Sequence, residues 1–393
     1  MKPSTLKIAA IGAAMLAAIL FISSCARTPE QKFTRDVEKL RKLNGNVGLA
    51  TVVVKDNKIV HTEYFGMADR EKGIPVGENT LFRIASISKS FTATSLMQLV
   101  EKGILSLDTD VSTLAGFPIR NPKYPDTVIT LEMLLSHTSS INDNEGYFTL
   151  DVIDPSKNGN WEGCYNDYEP GGGYEYCNLN YNLLGSFLEK LSGERFDQYV
   201  VHHILDPLGL YGGYCVDSLD TGRFAVLYSA DADNGSPDGS LVPVPQAYAR
   251  RAEQIANYNF GYDTPVFSPT GGMKISAPDL ARYMMVHMNY GTSPDGVRLI
   301  SEEHSRSMQT PRSEEEHYGM ALNVRDGSII PGVKLVGHTG GAYGLRSSMY
   351  FSPEGKFGFV VISNGCTTPD ATGAKELRNG TMISAYKNFI MSK

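Results

Sequence analysis

The chain has 393 residues, a net charge of −7, 41% apolar and 20% charged side chains. That is the balance of a globular protein with room for one large domain or two lobes. An acidic chain without a basic run does not fit nucleic-acid binding, and there is no internal repeat and no long low-complexity tract.

Lys2 and Lys7 precede an apolar run from Ile8 to Ile22. The run is short for a membrane span and right for the apolar region of an export signal. It ends in Ile22-Ser23-Ser24-Cys25, which resembles a bacterial lipoprotein signal with Cys25 as the lipidated first residue. Ordinary cleavage after Ala26 is the alternative. Residues 1–25 are read as the signal, 26–45 as a tether and an N-terminal helix over 34–43, and 46–393 as the folded unit. The expected location is the cell envelope, periplasmic or outer-surface, with the lipid on Cys25 as the contact with the membrane. Export permits disulfides among Cys164, Cys177, Cys215 and Cys366. The sequence does not choose a pairing; Cys164 and Cys177 flank a Gly-rich loop, and buried free thiols are equally open. No Cys/His spacing fits a metal site, so no metal and no cofactor is expected.

Two β-rich runs, 47–54 and 58–65, are split by Asp56-Asn57 and form a hairpin. The run 91–100 keeps apolar residues at 93, 96, 97 and 100, the spacing of a helix buried along one face. A short helix follows at 130–135. Residues 142–173 are polar and rich in Gly, Asn and Asp, a long loop able to wall a cleft. Helices are predicted over 181–191, 196–205 and 277–289, then strands over 319–325, 334–338, 347–351 and 357–363, and a closing helix over 376–389. Strands at both ends with helices between them predict an α+β fold. One antiparallel sheet is flanked by the terminal helices and carries an inserted all-helical lobe. The α/β lobe takes about 46–80 and 290–393, the helical lobe about 81–289, with a cleft between them.

Three short motifs carry chemistry. Ser86 and Lys89 stand three positions apart at the start of the predicted helix, where residues i and i+3 share a face and free N–H groups and the helix dipole favour an oxyanion. The spacing by itself is cheap, since Ser4…Lys7 and Ser384…Lys387 repeat it. Tyr176-Cys177-Asn178 follows a Gly-rich turn before a helix. A tyrosine beside a lysine ammonium is expected to have its pKa lowered and to act as a general base, and Asn178 can bind a substrate amide. Gly337-His338-Thr339-Gly340-Gly341 ends a β-run; its glycines admit a close backbone approach, the Gly341 N–H can join that of Ser86 as an oxyanion donor, and His338 can serve proton traffic or substrate charge.

In this order the three motifs resemble the serine hydrolases of the class C β-lactamase and D-Ala-D-Ala carboxypeptidase family, which share the penicillin-binding fold. Other stretches resemble the family too, among them Asn79-Thr80-Leu81-Phe82-Arg83-Ile84-Ala85, Leu134-Leu135-Ser136-His137-Thr138-Ser139 and Thr270-Gly271-Gly272. The resemblance runs from about residue 45 to the end. It implies an acyl-enzyme on Ser86, proton handling by Lys89 and Tyr176, an acyl amide held by Asn178, and an oxyanion hole at Ser86 and Gly341. Substrate binding falls to His338, Thr339 and Gly340. His338 stands where true class C β-lactamases have lysine and resembles the carboxypeptidase and D-aminopeptidase branches. Ser140 stands where the family usually has glycine. The arginine that reads a substrate carboxylate in the carboxypeptidase branch is replaced by Asn323, with Arg325 two residues on as the substitute. The expected protein is a monomeric, envelope-anchored serine hydrolase. Its expected partners are peptidoglycan-type peptides ending in D-Ala-D-Ala, or β-lactams. A β-lactamase or an esterase is the alternative within the same chemistry, and a non-hydrolytic penicillin-binding sensor the alternative outside it.

Overall fold

Asp56 and Asn57 both take positive φ, 51° and 62°, the backbone a two-residue hairpin turn requires and one these residues tolerate. They join strand β1 (Gly48–Lys55) to β2 (Lys58–Asp69). The computed structural model describes residues 27–236, 238–367 and 371–391, so the signal segment with Cys25 lies outside the described residues. In chain order there follow β3 (Ile74–Pro75), β4 (Phe82–Arg83), β5 (Gly212–Gly213), β6 (Tyr228–Ser229), β7 (Val242–Pro243), β8 (Lys274–Ile275), β9 (Asn323–Asp326), β10 (Lys334–Ala342), β11 (Leu345–Ser352) and β12 (Phe357–Ser363). The helices are α1 (Pro29–Leu43), α2 (Ser88–Glu101), α3 (Val111–Ala115), α4 (Leu131–Ser136), α5 (Asn178–Ser192), α6 (Phe196–Val200), α7 (Ala252–Ala256), α8 (Ala277–Met288), α9 (Glu302–Gln309) and α10 (Ala371–Ala385).

The main sheet has seven strands in the order β3-β2-β1-β12-β11-β10-β9, every neighbouring pair antiparallel. The two ends of the chain meet at β1 and β12, with Val53 opposite Phe359. Both faces of β1 are buried, which is why it reads as an apolar run rather than an alternation. Ala50, Val52 and Val54 point into the larger core with Phe91 and Leu96 of α2 and Leu280 and Met284 of α8. Leu49 and Val53 point the other way, against Phe33 and Val37 of α1 and Leu377 and Met382 of α10. A second, three-stranded sheet, β4-β8-β5, ties the segment before Ser86 to Lys274.

The structure corrects several expectations. α1 starts at Pro29 because Thr28 and Gln31 form a capping box ahead of it. α2 is buried nearly all round rather than along one face. Three of its hydroxyls are satisfied locally, Ser90 by the Ile87 carbonyl, Thr94 by that of Ser90 and Ser95 by that of Phe91, while Thr92 donates to the Pro269 carbonyl and Ser88 accepts from the Met273 N–H, so small polar residues enter the core without orphaned groups. The β-rich run 319–325 yields a strand only from Asn323, since Ala321 turns to positive φ of 61°. Strand β10 runs on to Ala342 because β11 pairs with it as far as Leu345. Cys164, Cys177 and Cys215 are buried free thiols, so Cys164 and Cys177 do not pair.

Candidate active site

Ser86 lies on a tight 3-10 turn, Ala85–Ile87, just ahead of α2 rather than in its first turn. Ala85 takes φ of +48°, a left-handed conformation that costs an L-residue roughly 1–2 kcal/mol and marks a turn held by its surroundings. Strand β10 does the holding. A Cβ at Gly340 would lie 2.2 Å from the Ile84 carbonyl oxygen and 2.3 Å from Ser347 Oγ, and Ser347 itself donates to that carbonyl at 2.9 Å. Gly340 therefore brings the strand against the serine turn, and no larger residue fits.

Lys89 is fully buried. Its Nζ donates to Asn178 Oδ1 at 2.8 Å and to the Thr270 carbonyl at 3.1 Å, and sits 3.5 Å from Ser86 Oγ. Burial lowers its pKa to about 7, only partly opposed by Asp143 and Cys177. A neutral amine has two N–H bonds and one lone pair. Two carbonyl-type acceptors occupy the N–H bonds, and the remaining direction faces the serine hydroxyl.

Tyr176 is not activated as expected. The Lys89 ammonium lies over its ring, 4.6 Å from the centroid, a cation–π contact rather than an approach to the hydroxyl. Burial dominates and pushes the phenol well above its ordinary pKa; Ser86 is the one neighbouring hydroxyl that opposes this. The hydroxyl is buried without a hydrogen bond of good geometry, so Tyr176 is a phenol waiting for a partner. Its ring packs at 4.4 Å on His137, whose Nδ1 accepts from the Cys177 N–H at 3.2 Å. His137 and Ser140 both take positive φ, 61° and 63°, which accounts for the usual glycine at the Ser140 position.

Asn178 lines the cleft and is held from within the site as well. Thr270 Oγ1 donates to its Oδ1 at 2.7 Å beside Lys89, and its Nδ2 donates to Asp143 Oδ2 at 2.9 Å. Asp143 also accepts from the backbone N–H groups of Asn178 and Leu179, each at 2.9 Å. It thus caps the start of α5 from a loop far away in sequence, where Cys177 makes no side-chain cap of its own. Asp143 escaped the sequence reading because one aspartate in a polar loop carries no spacing signal.

His338 is buried and neutral. Its Nδ1–H donates to the Thr339 carbonyl, which leaves Nε2 to accept from the Tyr318 hydroxyl at 3.0 Å. Burial, with the charges of Lys89 and Arg325, lowers its pKa to about 3. It carries no positive charge for a substrate at neutral pH, contrary to one of its expected uses. Arg325 does not reach the cleft. It pairs with Leu335 across the strands, and Asn323 on the same strand face accepts from Tyr350 on the terminal-helix side. Arg325 Nη2 lies 3.9 Å from Glu316. The cleft itself is a cavity of about 410 Å³ lined by Ser86, Tyr176, Asn178, Thr270 and Gly341, with Tyr147, Phe148 and Tyr343 at its walls. His338, Thr339 and Gly340 do not line it. A larger cavity, about 630 Å³, lies near Asp69, Asn79 and Arg223 and contains none of the three motifs. Among the described residues no cluster of His, Cys, Asp and Glu could hold a metal ion, and no helix is long and apolar enough to cross a membrane.

Comparison with known proteins gives the family. A family model described as Beta-lactamase matches residues 33–381. The chain is 29% identical to penicillin-binding protein 4 of Amycolatopsis lactamdurans over 340 residues, covering 81% of each. It is 30% identical to esterase EstB of Burkholderia gladioli over 278 residues, 63% of this chain and 68% of the esterase. Among solved structures, the octameric penicillin-binding protein homologue from Pyrococcus abyssi superimposes with a TM-score of 0.68 at 28% identity, covering 88% of this chain and 75% of that one. The chain belongs to the beta-lactamase family of serine hydrolases.

Proposed function

We propose that the protein is an acyl-serine hydrolase in which Ser86 is the nucleophile and Lys89 its general base, acting on D-amino-acid peptides such as those ending in D-Ala-D-Ala. The observation that carries this is the seat of Lys89: two acceptors take its N–H bonds and the serine hydroxyl stands in the third direction, 3.5 Å away. Ser86 Oγ attacks the acyl carbon as its proton passes to Lys89. The N–H groups of Ser86 and Gly341 receive the oxyanion. The Tyr176 phenol passes a proton to the leaving nitrogen or oxygen and regains one from Lys89, and water then clears the acyl-enzyme. From His338 onward strand β10 has no pairing with β9, so an extended peptide can align along that edge with backbone hydrogen bonds. The penicillin-binding relatives favour peptides and β-lactams. The resemblance to an esterase, together with a neutral His338 and an Arg325 outside the cleft, favours ester hydrolysis as the second reading.

Following the protein with penicillin by intact mass over time tests both. A lasting adduct supports the peptidase, fast turnover a β-lactamase, and ester hydrolysis without an adduct the esterase. Full hydrolysis of every substrate by Ser86→Ala would overturn the mechanism. Anchoring through a lipid on Cys25 and a monomeric state belong to the same proposal. Radiolabelled fatty acid should enter the wild type and not Cys25→Ala, and light scattering that reads a larger assembly would replace the monomer.

A further inference from the structure

Next to the catalytic cleft lies a small annex of about 60 Å³, room for a few atoms. Arg83, Phe148, Ser268 and Tyr343 line both spaces. Lys274 and Arg251 line the annex from the far side. No carboxylate is among the described residues lining either space, although the chain as a whole is acidic. Buried cations are ordinarily paired; the buried Lys274 and the half-buried Arg83 and Arg251 have no carboxylate partner among the described residues. Arg83 spends Nε on the Gly271 carbonyl and Nη1 on the Ala247 carbonyl, each at 2.9 Å; Nη2 takes no hydrogen bond among the described residues. Lys274 is fully enclosed with one partner, the Tyr214 carbonyl. The Arg251 side chain meets Gln254 at 3.3 Å and no acid. The nearest carboxylates are engaged elsewhere: Asp197 pairs with Arg195, and Asp217 accepts the Arg251 backbone N–H.

We infer that Arg83, Lys274 and Arg251 form a carboxylate-binding subsite, and that the hydrolase selects substrates bearing a carboxylate several atoms from the bond it cleaves. The inference rests on Ser86 being the acylation site. Neither of the expected carboxylate readers near the His338 strand serves, since His338 is neutral and Arg325 lies outside the cleft. The annex supplies cations beside the cleft. Burial works against the charge of Lys274, as do Arg83 and Arg251 beside it. An incoming carboxylate relieves that repulsion and accepts charge-assisted hydrogen bonds from Arg83 and Lys274. Phe148, 75% exposed at the rim, offers the apolar connecting part of such a substrate a contact surface.

The test compares kcat/KM at low ionic strength for ester pairs that differ only in charge. The 4-nitrophenyl monoesters of adipic and suberic acid, set against 4-nitrophenyl hexanoate and octanoate, place the carboxylate on the acyl part. 4-Acetoxybenzoate against its methyl ester places it on the leaving group. One arm should show a preference for the anion of about tenfold or more, the scale of one charge-assisted hydrogen bond. Lys274→Met and Arg251→Gln should each cut that anion-to-neutral ratio severalfold, mainly through KM. Equal rates within both pairs, or a preference that neither variant changes, would overturn the subsite. If no ester is turned over, the esterase reading of the Ser86 site fails and the subsite is still open to test. Calorimetric binding of adipate to Ser86→Ala then decides the subsite alone: binding lost on adding Arg251→Gln supports it, and no binding rejects it.

Discussion

At the residue scale the decisive feature is a lysine whose charge burial opposes. With its pKa lowered to about 7, Lys89 is a base only where its proton is off. The acid limb of kcat/KM should therefore fall below about pH 7 with a single ionisation. Lys89→Arg keeps the charge at all accessible pH values and should lose about 10²–10⁴-fold in kcat, the usual contribution of a general base; a variant within threefold of wild type would transfer the role elsewhere. Tyr176 sits in the same desolvated space but responds in the opposite sense, because there the charged form is the phenolate. Tyr176→Phe should lower kcat by about 10²-fold while the acid limb stays in place. A limb that moved with this substitution would make Tyr176 the base after all. From the sequence, the residue types and their order were legible. Which of the two gives up its proton was not, since that depends on how much water each has lost.

At the element scale, the ends of elements do the positioning. Helix α5 begins without a local cap, and Asp143 accepts four hydrogen bonds there, two from backbone, one from the Asn178 side chain and one from the Cys177 thiol. Asp143→Ala leaves all four donors without this acceptor. It should cost about 1–3 kcal/mol, the penalty of buried unsatisfied groups. Thermal unfolding should read the loss, and kcat should fall with it because Asn178 is released from Lys89. An unchanged Tm would remove Asp143 from this role. Strand β10 is set by the opposite device, an absence of side chain. Gly340→Ala must push the strand from the Ile84 carbonyl or tilt the serine turn. Overpacking of this kind costs about 1–3 kcal/mol, and the acylation rate should drop more than the stability suggests. The glycines at 340 and 341 were visible in sequence as an invitation to close approach, but the expected guest was a substrate backbone. For Gly340 the guest is the protein's own turn.

At the scale of the whole molecule, three buried histidines make stability depend on pH. His287 and His338 have pKa values lowered to about 4 and about 3, and His137 lies well below its ordinary value, each mainly through burial. All three are neutral in the fold and gain protons in the unfolded chain once the pH drops below about 6.5. The unfolded state then binds more protons, so stability falls as pH falls, by up to about 1.4 kcal/mol per pH unit for each group. Tm should already decline between pH 6.5 and 5, where most carboxylates are still ionised. A flat Tm across that interval would contradict the neutral, buried assignment.

Read alone, the sequence determined what near neighbours in the chain decide. The Asp56-Asn57 hairpin, the apolar strands at both ends and the order of Ser86, Lys89, Tyr176, Asn178 and His338 all follow from local pattern and residue chemistry. Tertiary structure alone decided the protonation of Lys89 and Tyr176, the distant cap from Asp143, the neutral His338 held by Tyr318, the displacement of Arg325 to the other side of the sheet, and the gathering of Arg83, Lys274 and Arg251. These depend on desolvation and on contacts between residues tens to hundreds of positions apart, quantities that no local pattern encodes.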